Sequence, residues 1–330
     1  MKSNLPLITI GILSWNRLHY LRATLESARR CIKYPNIQWI VVDNVSNEPG
    51  LVEYLKSLDW IDEMVFMEST HVRAMNEIIT RAKGELVLIW PDDIQFVVEG
   101  DWMVDCVEIL MENHWIGSMC LSFQRRETIK QIWGGQQFSW KEISGVLGEI
   151  KRFGKMARFQ KRIVSSRGFP IVTYGWKEDG IAGAGIASLT RTEIWKKLGP
   201  WKFDPGNKDI GDSSGGGEEE MLYRWAKFGM PLQRAITVLS TSADIINDDI
   251  GAKAKLRGKK RYGVYTPPID EFYYQIFSLK EVTPWLSNEL PVSFEDFVIP
   301  IGFELPLDAQ GNLRKSGMNT SIVTTVDDEL

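Results

Sequence analysis

Gly84-Glu85-Leu86-Val87-Leu88-Ile89-Trp90-Pro91-Asp92-Asp93 is an apolar run of strand length that ends in two adjacent carboxylates. Such a strand delivers its acids to the carboxyl edge of a sheet, the edge at which open α/β sheets bind ligands. Two acids held there can neither relax apart nor pair with each other, so a divalent cation is their natural partner. Oxygen-only ligation suits Mg²⁺ or Mn²⁺. The competing reading is that Asp92 and Asp93 only open a surface turn. The sequence around them decides between the two.

Upstream, Leu7-Ile8-Thr9-Ile10-Gly11-Ile12-Leu13 reads as a strand, Ser14-Trp15-Asn16-Arg17 as a loop, and Leu18, Leu21, Leu25 and Ala28 as one face of a helix. A second strand, Ile37 to Val42, ends at Asp43-Asn44-Val45-Ser46, and a third runs Met64 to Met67. Helical spacing returns at Val72, Met75, Ile78, Ile79 and Ala82. Strands alternating with helices predict an α/β domain with a mostly parallel sheet covered on both faces.

These segments together resemble the nucleotide-sugar-dependent glycosyltransferases of family 2, which have the GT-A fold. Ile10-Gly11-Ile12-Leu13-Ser14-Trp15-Asn16-Arg17 is similar to that family's first strand and loop, and Val41-Val42-Asp43-Asn44-Val45-Ser46 to its second. Asn76, Ala82-Lys83-Gly84-Glu85 and Asp92-Asp93 match the approach to its metal motif. Gly183 to Arg191 and Leu198-Gly199-Pro200-Trp201 resemble the segments before its catalytic loop, and Gly217-Glu218-Glu219-Glu220-Met221-Leu222-Tyr223-Arg224 resembles the loop and its helix. Each piece is short and degenerate, but five occur in the family's order. The resemblance covers residues 5 to 240.

The resemblance implies a GT-A domain in two halves, 1–121 binding the donor and 122–245 binding the acceptor and carrying catalysis, followed by an extension over 246–330. It places Asp43 against the nucleobase and Ser14, Trp15 and Asn16 against base and ribose, with Trp15 offering a stacking face. Alternatives are an ordinary core aromatic for Trp15 and an Asx turn for Asp43. Arg73 is in reach of the donor diphosphate by its guanidinium fork, or is a solvated helix residue. Asp93 is the more direct metal ligand and Asp92 the ribose or water contact. A third acid usual in the family is replaced by Pro91. The histidine ligand the family often draws from beyond the catalytic helix has no counterpart, since His19, His71 and His114 all lie upstream, and Asp244, Asn247, Asp248 or Asp249 would have to serve. Aligning Glu220 with the family's acid-Leu-x-x-Arg pattern makes Glu218 the catalytic base, Glu219 the alternate and Glu220 structural. Three glutamates opening a helix also complement its dipole.

Composition bounds the reading. The chain has 330 residues, 44% hydrophobic and 25% charged, with a formal charge of −4, enough to bury a large core. Cys31, Cys106 and Cys120 lack paired spacing, which argues against a disulfide framework or zinc site and fits a reducing, cytoplasmic setting. No apolar run approaches membrane-spanning length, and Leu5 to Trp15 behind Lys2 reads as a first strand rather than a signal-peptide core. Lys151, Arg152, Lys155, Arg158, Lys161, Arg162 and Arg167, with Phe153, Met156, Phe159 and Ile163 interleaved at near-helical spacing, read as an amphipathic face on an anionic membrane or lipid-linked acceptor, or as a solvated helix packed on the acceptor half. A second cluster, Lys253 to Arg261, sits where the family has a loop over the donor phosphates. An acidic chain with no recognition module excludes nucleic acid.

Thr190-Arg191-Thr192-Glu193 reads as a capping box opening a short helix that Gly199-Pro200 closes. Gly180-Ile181-Ala182-Gly183-Ala184-Gly185 precedes its apolar run, the wrong order for a dinucleotide fingerprint. Beyond Pro267 the resemblance ends; Phe272, Tyr273, Tyr274, Trp285, Phe294 and Phe297 predict partial packing, and Asn312 to Leu330 reads as a frayed tail. The implied function is metal-dependent, inverting transfer of a sugar from a nucleoside diphosphate to a hydroxyl of a glycan or lipid-linked acceptor in polysaccharide or cell-envelope assembly, with Mn²⁺ or Mg²⁺ as cofactor. Alternatives are a nucleotidyltransferase, which wants a Gly-rich basic loop after the first strand, and a catalytically inactive glycan- or nucleotide-binding module.

Overall fold

Seven successive buried residues form the first strand, β1 (Ile8–Ser14), as expected of a strand covered on both faces. The computed structural model describes residues 5–122, 161–175, 187–203, 217–228, 233–242, 272 and 274–282. After β1 come α1 (Leu18–Cys31), β2 (Ile37–Asp43), α2 (Leu51–Lys56), β3 (Glu63–Phe66), α3 (His71–Arg81) and β4 (Leu86–Trp90). There follow β5 (Ile94–Phe96), β6 (Val98–Glu99), α4 (Trp102–Glu112), β7 (Ile116–Ser122), β8 (Lys161–Val164), β9 (Pro170–Gly175), β10 (Ser188–Arg191), α5 (Thr192–Leu198), α6 (Glu218–Lys227), β11 (Gln233–Ser242) and β12 (Phe277–Ser278).

One sheet runs β3-β2-β1-β4-β10-β7-β11-β9-β8, with β5 also on β11. Strands β1, β2, β3, β4, β7, β8 and β11 run one way and β5, β9 and β10 the other. This is the α/β, mostly parallel arrangement that the sequence implied.

The pleat sorts β4 between two cores. Leu86, Leu88 and Trp90 join Ile8, Ile10 and Ile12 of β1 against Leu21 and Leu25 of α1 and Met103 of α4. Val87 and Ile89 face the other way, with Val42, against Met75 and Ile78 of α3, Trp195 of α5 and Trp225 of α6. Two polar residues on the inner face of α1 fasten the turn after β4. Thr24 Oγ1 donates to the carbonyls of Asp92 (2.9 Å) and Ile94 (3.1 Å), and Ser27 Oγ accepts from Phe96 N–H (3.0 Å).

Two local readings of the sequence are corrected. The capping box does not form. β10 continues through Arg191 to pair with Leu86, which commits buried Thr190 to the strand, so the helix starts at Thr192 without a side-chain cap and Thr192 Oγ1 donates to Gly84 O instead (2.7 Å). Gly199, with φ of 78°, does end that helix. Nor is the basic segment helical where it is described. Residues 161–164 form β8 antiparallel to β9, and Arg167 is bound to Asp101 and to both oxygens of Asp105, because the β8–β9 turn docks on the start of α4. Residues 151–160, 176–186, 243–271 and 283–330 lie outside the described residues, and with them most of the first basic cluster, Gly180 to Gly185, Asp244 to Asp249, Lys253 to Arg261, Trp285, Phe294, Phe297 and the polar tail.

Part of the C-terminal extension returns to the core. Gln95 and Tyr274 exchange two hydrogen bonds (2.8 and 3.0 Å), β12 pairs with β6, and Tyr274 and Val282 are fully buried. No helix among the described residues is long and apolar enough to cross a membrane. The three cysteines are buried and unpaired, and burial pushes the Cys31 thiol up to about 12.

Arg191 is the fold's most exposed liability to substitution. Its buried guanidinium donates to the carbonyls of Leu110 (2.5 Å), Asn113 (2.9 Å) and Ile116 (2.8 Å), closing the C-terminus of α4, and burial holds its pKa below the ordinary arginine value. Replacing it by Met takes one donor from each of three carbonyls, of which that of Asn113 still accepts from Ile116 N–H (2.9 Å). We expect Arg191→Met to lower the unfolding free energy by about 3 kcal/mol, read as an earlier urea midpoint at unchanged slope.

Candidate active site at the switch point of the sheet

From β1 the chain moves outward to β2 and β3, then returns to place β4 on the other side of β1. Strand order reverses there, and the crevice outside the carboxyl ends of the two strands is where such sheets hold ligands. β1 delivers Ser14-Trp15-Asn16-Arg17 to that edge, β2 delivers Asp43 and β4 delivers Asp92-Asp93. The fold therefore gathers Ser14, Trp15, Asn16, Asp43, Asp92 and Asp93 as the sequence predicted.

The turn carrying the two acids is fixed from below by Thr24 and by Trp90 Nε1, which donates to Ile94 O (2.9 Å). Asp92 and Asp93 are each only 4% exposed, so they are not a solvated surface turn. Both carboxylates converge on one group, the Arg17 guanidinium, which donates through Nη2 to Asp92 Oδ1 and through Nη1 to Asp93 Oδ2 (3.2 Å). Trp15 N–H makes a long contact to Asp92 Oδ2 (3.5 Å). The chain thus supplies a cation of its own beside the pair. Sequence reasoning quoted Arg17 as part of the first loop and gave it no role. The signal was a lone arginine immediately after the strand that neighbours the acidic one.

A guanidinium touching both acids shows that their oxygens address one cationic position, and hard oxygen donors suit Mg²⁺ or Mn²⁺. The residues present fit such an ion. They supply two protein acids, with Pro91 in the third place, and no group of three or more candidate ligands occurs among the described residues.

Asp43 is 1% exposed and well supplied with donors. Its Oδ1 accepts from Ser46 N–H (2.8 Å), and Oδ2 from the hydroxyls of Ser14 (2.7 Å) and Ser46 (2.6 Å). The Asx-turn reading is thus present in the structure. Asn16 welds the two loops together: its N–H donates to Ser46 Oγ (2.7 Å), and its Oδ1 accepts from the N–H groups of Asn47 (3.0 Å) and Glu48 (3.1 Å). Glu48 in turn accepts from Leu18 N–H at the start of α1 (3.1 Å). Trp15 is half-buried beside this network.

A second set of contacts positions α6. Arg73 is exposed on the first turn of α3, whose N-cap Thr70 accepts from Arg73 N–H (3.3 Å). One turn on, Asn76 grips the backbone of Trp201 with both ends of its amide, accepting from the N–H (2.7 Å) and donating to the carbonyl (2.9 Å). Gly217, at φ of 71°, lies against the next residue of that loop. A Cβ there would stand 2.0 Å from Lys202 O and 3.5 Å from Val72 Cγ2 of α3, so no other residue type fits. α6 begins at the next residue, Glu218. Glu220 is structural as expected. Its Oε2 accepts from Nε (2.9 Å) and Nη2 (2.7 Å) of Arg224, whose Nη1 donates to Leu198 O (2.6 Å).

Residues 9–166 match the family model for glycosyl transferase family 2. The protein y4gI of Sinorhizobium fredii (strain NBRC 101917 / NGR234), described as uncharacterized, is 30% identical over 109 residues, which are 32% of this chain and 12% of that protein. The chain thus spans a small fraction of that relative's length. Among solved structures, TarS 1-349 of S. aureus is 12% identical with a TM-score of 0.43, over 76% of this chain and 68% of that one. The mannosyltransferase PcManGT of Pyrobaculum calidifontis, solved with GDP-Man and Mn²⁺, is 14% identical with a TM-score of 0.43, over 72% of this chain and 58% of that one.

Because Asn76 joins α3 to the loop that seats Gly217, its removal should be felt as lost stability. Asn76→Ala leaves the Trp201 N–H and carbonyl unmet, and we expect about 2 kcal/mol off the unfolding free energy, measured by urea denaturation.

Proposed function

We infer that the protein is a glycosyltransferase that moves a sugar from a nucleoside diphosphate to a hydroxyl of a glycan or lipid-linked acceptor. One observation carries the reading: Asp92 and Asp93 converge on a single cationic position at the switch-point edge, within a segment that matches the family model for glycosyl transferase family 2. On this reading residues 1–121 bind the donor, 122–245 bind the acceptor and carry catalysis, and 246–330 are an extension.

The nucleoside lies over the edge of β1 and β2, with Trp15 as a stacking face, Ser14 and Asn16 shaping the loop and Asp43 as acceptor for the base. Ser14 and Ser46 already bring three donors to the Asp43 carboxylate, which has about four lone-pair sites, so a base N–H takes what is left. Arg73 faces the diphosphate, Asp92 the ribose or a water, and Asp93 holds the metal. A divalent ion, Mn²⁺ or Mg²⁺, supplies charge to the phosphate oxygens as the carbon–oxygen bond to the leaving group breaks. Glu218, with Glu219 as alternate, takes the proton of the acceptor hydroxyl as it attacks the anomeric carbon from the opposite face, which inverts that centre.

The setting proposed is the cytoplasmic side of polysaccharide or cell-envelope assembly. Peripheral contact with an anionic membrane rests on Lys151, Arg152, Lys155, Arg158, Lys161 and Arg162, since Arg167 is engaged with Asp101 and Asp105. A second reading, a catalytically inactive binding module, is favoured by the occupation of both acids by Arg17 and by Pro91 in the place of a third acid.

Turnover of nucleotide sugars separates the two. Asp93→Asn keeps an acceptor for Arg17 but removes a charge from the metal, so metal-dependent nucleotide binding and activity should be lost while the thermal transition stays cooperative. Normal turnover by this variant reduces the acid pair to a turn. Glu218→Gln should retain donor binding while turnover falls roughly 10²–10⁴-fold. If Glu219→Gln shows that phenotype instead, the base is one residue on; if neither does, the start of α6 is not the catalytic loop.

A further inference from the structure

The cation position defined by Asp92 and Asp93 comes with a cation of its own. Arg17 reaches it from β1 across the switch point, and its side chain is 11% exposed. Removing that guanidinium takes a full positive charge away from two adjacent, buried carboxylates. An arriving cation offsets that loss. The arginine also needs an anion to go to, and a planar guanidinium fork matches phosphate oxygens. A diphosphate–metal complex brings both at once.

The loop that carries Arg17 is built as a held, high-energy conformation. Asn16 and Arg17 are consecutive non-glycine residues in the left-handed region, with φ of 54° and 59°, a region costly for such residues. The segment is kept there by Ser46 on the Asn16 N–H, by Asn16 Oδ1 on the N–H groups of Asn47 and Glu48, and by the two acids on Arg17 itself. Releasing the last of these contacts frees the residue that bears the strain.

We propose that Arg17 is an ionic latch: the resident counterion of Asp92 and Asp93 in the ligand-free protein, which competes with the divalent cation and transfers its guanidinium to the donor diphosphate when donor and metal bind together. The proposal rests on the reading of Asp92 and Asp93 as the metal site. It makes the two ligands cooperative, because each removes an obstacle to the other, and the coupling is reciprocal. Metal alone binds weakly, since the binding-competent, unlatched state is a minor one.

The test is direct Mn²⁺ binding, followed by loss of the free-ion electron paramagnetic resonance signal, on the full chain without nucleotide. Arg17→Gln should bind Mn²⁺ at least about tenfold more tightly than the wild type. Arg17→Lys, whose single ammonium cannot fork both acids and which guards against misfolding of the Gln variant, should fall between the two. In thermal unfolding, manganese pyrophosphate should raise the wild-type midpoint above the value with Mn²⁺ alone, and Arg17→Gln should lose most of that increment. Equal or weaker Mn²⁺ binding by both arginine variants, with Asp93→Asn abolishing it, overturns the latch and leaves the metal site standing. Binding unchanged in Asp93→Asn removes the metal site and the latch together.

Discussion

Parallel pairing of β1 with β4, in a register running from Ile8 opposite Leu86 to Ile12 opposite Trp90, is the constraint on which the rest of the site depends. It brings residues that are 78 apart in the chain to the same level. Ser14 to Arg17 then faces Pro91 to Asp93 across one crevice. The contacts of the acid pair follow from that juxtaposition, including the Arg17 bridge and the hold of Thr24 on the Asp92 carbonyl. The register is well specified because β4 alternates between two cores: slipping it by one residue would exchange Leu86, Leu88 and Trp90 with Val87 and Ile89.

Charge compensation is the second organising fact. Buried acids at the crevice are each met by donors from a different strand: Asp43 by serines of the β1 and β2 loops, Asp92 and Asp93 by an arginine of the β1 loop. The two arrangements differ in kind. Hydroxyls and backbone N–H groups satisfy Asp43 without neutralising it, whereas the guanidinium at Asp92 and Asp93 carries a full positive charge that any incoming cation must displace.

Much of this was legible in the sequence. The apolar run Leu86 to Trp90 and its terminal acids identified both the sheet and its functional edge, since a strand buried on both faces has no polar residues to confuse its period. Glu220, Gly199 and the packing of Tyr274 also read correctly. What failed was local pattern judged without tertiary pairing. Thr190 to Glu193 has the composition of a capping box, but strand pairing with β4 claimed Arg191. Ile163 continued a helical period only because neighbouring apolar residues happened to share it, while the pairing of β8 with β9 decided its structure. Arg17 and Asn76 were quoted and left without roles because their partners, Asp92, Asp93 and the Trp201 backbone, lie 75 or more residues away, and no periodicity reports such contacts. Glu218 and Glu219 remain assignments from the order of motifs.

The central claim is that the switch-point edge binds a nucleoside diphosphate together with a divalent ion. The most direct measurement is thermal unfolding across a panel of nucleoside diphosphates and nucleotide sugars, each with and without Mn²⁺. A ligand that binds only the folded state raises its stability by about 2.7 kcal/mol at a hundredfold excess over its dissociation constant. The account predicts that at least one nucleotide raises the midpoint clearly more with Mn²⁺ than without it; a midpoint unmoved by every nucleotide, with or without the ion, contradicts it.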